Sequence, residues 1–224
     1  MPGLPMAALM FVCPGLAALI LVRRAQGSRG VRALLSRAID CGGVTPRAWY
    51  APLLLLNPAV FALSYLVMRA FGSTVPSLEM QFVPTLALCL VFLVSALGEE
   101  LGWTGYAIDP LQQRCGTLRA SLLLGMVWVA FHWIALLQVH RSFEWIGWWS
   151  LWTLSQRVMM VWFYNATRRS VFAVVLMHAS ANVCWQLFPI RGSFFDPRLT
   201  GLITTILAIF AIAFWRPREA VPGG

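Results

Sequence analysis

The chain has 224 residues, of which 59% are hydrophobic and only 11% charged, against about 25% charged in an ordinary soluble domain. This composition excludes a disordered chain and a soluble multi-domain enzyme, and it points to a polytopic membrane protein. The formal charge of +9 comes entirely from arginine, with no lysine. These arginines flank apolar spans, so they read as topology signals and contacts with anionic lipid, with no nucleic-acid partner.

A membrane-spanning helix needs about 20 mostly apolar residues, and seven stretches qualify. The first, 4–22, has no basic segment before it and ends at Arg23-Arg24, so it reads as a retained span, not a cleaved signal. Residues 23–47 form a basic connector with a short amphipathic piece at 31–39. The second span is 49–68, with a kink predicted at Pro58. The third starts near Phe82, carries Glu99-Glu100, and is predicted to run to Ile108, where Asp109-Pro110 stops it. Residues 111–119 form a polar connector. The fourth span, 120–139, holds His132. The fifth, 146–164, holds Arg157. The sixth, 171–188, holds His178 and Asn182, and the seventh is 199–215.

No internal repeat or low-complexity segment appears, so residues 1–224 read as one integral membrane domain. Twelve arginines fall in one set of connectors and the tail, against four in the other set. By the positive-inside rule this places the C-terminus in the cytosol and the N-terminus outside. The odd span count leaves room for a further helix upstream. The five cysteines, at 13, 41, 89, 115 and 184, are scattered and include no Cys-x-x-Cys pair, so neither a disulfide framework nor a thiolate metal site is expected.

Polar groups inside the spans are few, and their spacing is informative. Two adjacent carboxylates at bilayer depth are costly unless they are paired or face a wet cavity. Residues four apart share a helix face, so Glu100 with Thr104, Trp128 with His132, and His178 with Asn182 each form a short polar stripe. Three such stripes seek one another where lipid offers no hydrogen bonds. The expected fold is an all-α membrane bundle of about seven helices around a central polar cavity open to the cytosol. Two carboxylates, two imidazoles and an amide suit activation of water by a carboxylate, with donors for an oxyanion. The same set would also hold a divalent metal such as zinc through Glu99, His132 and His178. No His-Glu-x-x-His or Gly-x-Ser-x-Gly pattern is present, and Asp40, Asp109 and Asp196 all lie in connectors. A proton- or ion-coupled transporter is the third chemistry open to such groups, although the inverted repeats of transporters are absent.

Glu99-Glu100-Leu-Gly-Trp-Thr-Gly-Tyr, then Trp128-x-x-x-His132, then His178-Ala-Ser-Ala-Asn182 resemble the three motifs of the CPBP intramembrane proteases. That group includes the type II CAAX endopeptidases and the bacteriocin-processing or self-immunity proteins. The resemblance covers about residues 84–187. It implies an endopeptidase of a bacterial inner membrane that hydrolyses a peptide bond of a membrane-associated peptide or protein. By position, Glu99 would activate water, and His132, His178 and Asn182 would position it and stabilise the oxyanion, while Glu100 would support the site. Members are often classed as metalloproteases, and a metal-free glutamate mechanism is also implied. A non-catalytic scaffold or self-immunity protein of the same fold is the alternative. The family's first motif is usually Glu-Glu-x-x-x-Arg, and Thr104 stands at the Arg position here. Arg157, otherwise an unexplained cation in the fifth span, is expected to pair with the carboxylates in its place.

Overall fold

A computed structural model describes residues 4–214, so Trp215, Arg216 and Arg218 lie outside the described residues. The described residues form helices joined by loops, with no strand among them. The helices are α1 (Leu4–Ile39), α2 (Tyr50–Ala70), α3 (Phe82–Gly102), α4 (Ile108–Cys115), α5 (Thr117–Gln138), α6 (Phe143–Ala166), α7 (Val171–Leu187) and α8 (Pro197–Ala213). A π-helical turn, Trp103–Ala107, joins α3 to α4 without a break, so the eight labels make seven helical bodies among the described residues. Four bodies are long and apolar enough to cross a membrane: Met10–Ile39, Arg47–Ala70, Phe82–Cys115 and Thr117–Gln138. The apolar helices α7 and α8 have 17 residues each, or about 26 Å at the helical rise.

Local chemistry sets several helix ends. Ser142 and Ser170 accept from Trp145 N and Ala173 N at the starts of α6 and α7, which satisfies donors that helix geometry leaves free. Asp196 does the same for α8, with Pro197 in its first turn.

Two boundaries differ from the sequence reading. The basic connector 23–47 is largely helical, because α1 continues to Ile39. Its break sits at Gly27, with φ 68° and ψ −160°, a backbone state open mainly to glycine. The other difference is at Asp109-Pro110, which does not stop the third helix. Proline clashes with the carbonyl four residues back, here that of Tyr106, which lies in the wider π turn. The helix ends instead at Gly116, with φ 77°.

In the bundle, α1 packs on α3, α3 on α7, α7 on α2, and α6 against both α5 and α8. The α1–α3 crossing is very close. A Cβ on Gly98 would collide with the Phe11 carbonyl, one on Gly15 with the Gly98 carbonyl, and one on Gly102 with Pro14. Gly98 and Gly102 thus act as small residues spaced four apart that let two helix backbones meet in lipid. Outside, Leu55, Leu66, Val91, Val94, Ile134 and Ile209 are among many large apolar side chains left exposed. This is the surface of a multi-pass membrane protein, with lipid as its solvent.

Candidate active site

Glu99 and Glu100 are adjacent on α3, so their side chains diverge by about 100° around the axis. Both are buried, yet they enter different surroundings. Glu99 lines a cavity of about 250 Å³ that is also lined by Trp128, His132, Gln156, His178 and Asn182. Glu100 faces the packed interior between α3, α6 and α7.

Glu100 is the hub of the buried network. Arg157 donates from Nη1 to its Oε2 at 2.9 Å and from Nη2 to its Oε1 at 3.0 Å, with both side chains fully buried. This is the bidentate geometry that suits guanidinium to carboxylate. Thr104 donates its hydroxyl to Glu100 Oε2, and Arg157 Nη1 lies 3.5 Å from the Thr104 oxygen. His178 Nδ1 lies 2.9 Å from Glu100 Oε1. A carboxylate only accepts, so this contact keeps the proton on Nδ1 and leaves Nε2 as the ring's other polar atom. Arg157 therefore supplies the cation that Thr104 does not, and it pairs with one carboxylate, Glu100.

Trp128 couples the two compartments. Its Nε1 donates to Glu99 Oε2 at 3.0 Å, while Arg157 Cζ sits 4.2 Å from its ring centroid, within cation–π range. His178 packs edge-on against the same indole, 5.1 Å between centroids. His132 Nδ1 is 2.9 Å from the carbonyl of Trp128, one turn back on α5, so Nδ1 donates and its Nε2 is free of that bond. Asn182 lies on the cavity wall one turn beyond His178 and has no side-chain hydrogen bond among the described residues.

The structure thus gathers Glu99, His132, His178 and Asn182 around one cavity and sets Glu100, Thr104 and Arg157 behind it, with Trp128 between. Sequence reasoning missed the bonding role of Trp128. It also missed Asn57 on α2, fully buried and bonded to Gln156, and the Gly98-x-x-x-Gly102 spacing, which was a readable signal.

A second cluster ties α1 to α4 and α6. Arg37 donates to Gly105 O at 3.3 Å, to Asp109 Oδ2 at 3.3 Å and to the Tyr164 hydroxyl at 2.7 Å. Tyr164 donates to Asp109 Oδ2 at 2.9 Å. Ala135, Trp149, Trp185 and Gln186 complete much of the cavity lining.

Among the described residues no three His, Cys, Asp or Glu side chains come together so as to hold an ion. Each imidazole has the Nδ1 bond typical of a ligand, but Glu99, His132 and His178 do not converge.

A helical membrane protein with a buried carboxylate–imidazole–guanidinium network around a polar cavity defines the class. Residues 81–184, which include Glu99, Glu100, Thr104, Trp128, His132, Arg157, His178 and Asn182, match the family model described as "Type II CAAX prenyl endopeptidase Rce1-like". The chain is also 33% identical over 153 residues to CAAX prenyl protease 2 of Methanococcus maripaludis, an alignment covering 61% of this chain and 55% of the relative. The chain therefore spans about half the length of the curated relative it matches.

Proposed function

We propose that the protein is an intramembrane endopeptidase that hydrolyses a peptide bond by glutamate-activated water. The observation that carries this reading is the division of the carboxylates: Glu99 lines the cavity while Glu100 is spent on Arg157, His178 and Thr104. A water in the cavity gives a proton to Glu99 as its oxygen adds to the scissile carbonyl carbon. The oxyanion is stabilised by the Asn182 amide and by an N–H at His178 Nε2, the ring being oriented by its Nδ1 contact with Glu100. Collapse breaks the C–N bond, and Glu99 returns the proton to the leaving amine. His132 orients the water through its Nε2. Trp128 holds Glu99 in place through the indole N–H.

The family match and the relative's name make a prenylated Cys-aliphatic-aliphatic-X peptide the first substrate to test. The relative is prokaryotic, in keeping with a plasma-membrane location, and the arginine distribution supports a cytosolic C-terminus. The test is cleavage of that peptide by the purified full-length chain beside Glu99→Gln and Asn182→Ala. Glu99→Gln keeps the shape and removes the base, so the rate falls by about 10³-fold. Equal rates in all three proteins would overturn the assignment. Elemental analysis of the active protein, with a chelator titration, tests separately whether an ion takes part.

A further inference from the structure

Four polar atoms on one face of α6 are buried and have no hydrogen-bond partner among the described residues: Trp149 Nε1, Trp152 Nε1, Thr153 Oγ1 and Gln156 Oε1. All four side chains line the cavity that holds Glu99. Their spacing of three, four and seven residues makes them one stripe of a helix. Unmade hydrogen bonds are costly where lipid surrounds the protein, and folded interiors leave few of them. This stripe has the composition of a binding surface, with donors and one firm acceptor.

The acceptor's orientation is fixed from behind. The Met177 carbonyl accepts from Asn57 Nδ2 at 3.0 Å, and a carbonyl cannot donate. Asn57 must therefore turn its Oδ1 toward Gln156, where it accepts from Gln156 Nε2 at 2.6 Å. That leaves Gln156 Oε1 as an acceptor that cannot exchange places with its own amine. The relay ends on the residue next to His178, so the acceptor is tied to the reaction centre.

We propose that Gln156, held by Asn57, accepts a hydrogen bond from a main-chain N–H of the bound peptide, while Trp149, Trp152 and Thr153 donate to its carbonyls. An extended peptide presents this alternation of donors and acceptors. A hydrocarbon chain presents neither, and an apolar groove between α2, α3 and α7, lined by Leu54, Pro58, Leu90 and Leu176, offers it a separate place. The proposal rests on reading the cavity as a peptidase site, and it makes Gln156 a positioning residue, not a catalytic one.

The test uses the full chain and a fluorescent prenylated Cys-aliphatic-aliphatic-X peptide, with each main-chain amide replaced in turn by an ester that lacks the N–H. Binding is read by anisotropy in a Glu99→Gln background, and cleavage in the chain with Glu99 intact. One ester position weakens binding by about fivefold or more, the scale of one lost hydrogen bond with its partner left unpaired. Gln156→Met weakens the all-amide peptide similarly and no longer distinguishes that ester. Asn57→Leu loses the same discrimination, and a melting temperature near the parent's for Gln156→Met controls for folding. Losses from the ester and from Gln156→Met that simply add at every position overturn the proposal. Cleavage with additive losses would sink this proposal alone, and intact coupling without Glu99-dependent cleavage would sink the chemistry alone.

Discussion

Arg157 on α6 and Glu100 on α3 form a fully buried two-pronged ion pair, at 2.9 and 3.0 Å. It couples two helices 57 residues apart in sequence. It also frees Glu99 from any structural duty except its bond to Trp128. Removing one partner strands the other charge in the interior, a loss of about 3–5 kcal/mol. Arg157→Met and Glu100→Gln should each melt well below the parent in detergent, while the double variant Glu100→Leu/Arg157→Met recovers part of the loss. Single variants with parental melting would contradict the pairing.

Thr104 adds a hydroxyl to the same carboxylate. Thr104→Val removes one buried charged hydrogen bond, expected to cost about 1.5–3 kcal/mol. Thr104→Arg brings the residue usual in related motifs, but Arg157 already occupies Glu100, so two guanidinium groups would compete for one anion. Thr104→Arg should be destabilised alone and improved by adding Arg157→Thr. Thermal melts of the four proteins of this cycle check the sign of the coupling.

Trp128 reaches Glu99 on one side and Arg157 on the other. Trp128→Phe keeps a ring for the cation and deletes the N–H. Stability should move little, while kcat for the peptide falls by about tenfold because Glu99 loses its fixed orientation. A larger change in KM than in kcat would place the indole in substrate binding instead.

Gly98 sits where a methyl group meets the Phe11 carbonyl, a backbone atom that cannot move aside cheaply. Gly98→Ala should cost about 1–3 kcal/mol, as overpacking does, and lower activity by shifting the adjacent Glu pair. Gly147, which has open space around its Cβ position, is the control: Gly147→Ala should leave both melting and activity unchanged.

The Arg37 cluster works at a lower energy scale. The Arg37 side chain is 41% exposed, and exposed pairs contribute about 0–1 kcal/mol. Arg37→Ala should hardly alter global melting. It should instead speed hydrogen exchange in Trp103–Ala107, because Arg37 donates to the Gly105 carbonyl inside that turn. Unchanged exchange there would remove the cluster's role in holding the π turn.

The all-helical architecture, the helical bodies and the pairing of Thr104 with Glu100 were legible in the sequence. These follow from local rules: apolar length sets spans, and residues four apart share a face. The need for a cation near the Glu pair was legible too, since an unpaired intramembrane Arg157 is too costly to stand alone. Tertiary structure alone decided which carboxylate Arg157 takes, that Trp128 bridges Glu99 to the guanidinium, and that Asn57 orients Gln156. These contacts join helices far apart in sequence, and adjacent residues such as Glu99 and Glu100 look alike until their neighbours are known. The continuation past Pro110 belongs to the same class. It depends on a π turn that shifts one carbonyl, and on Arg37, Asp109 and Tyr164 meeting beside that turn from three helices.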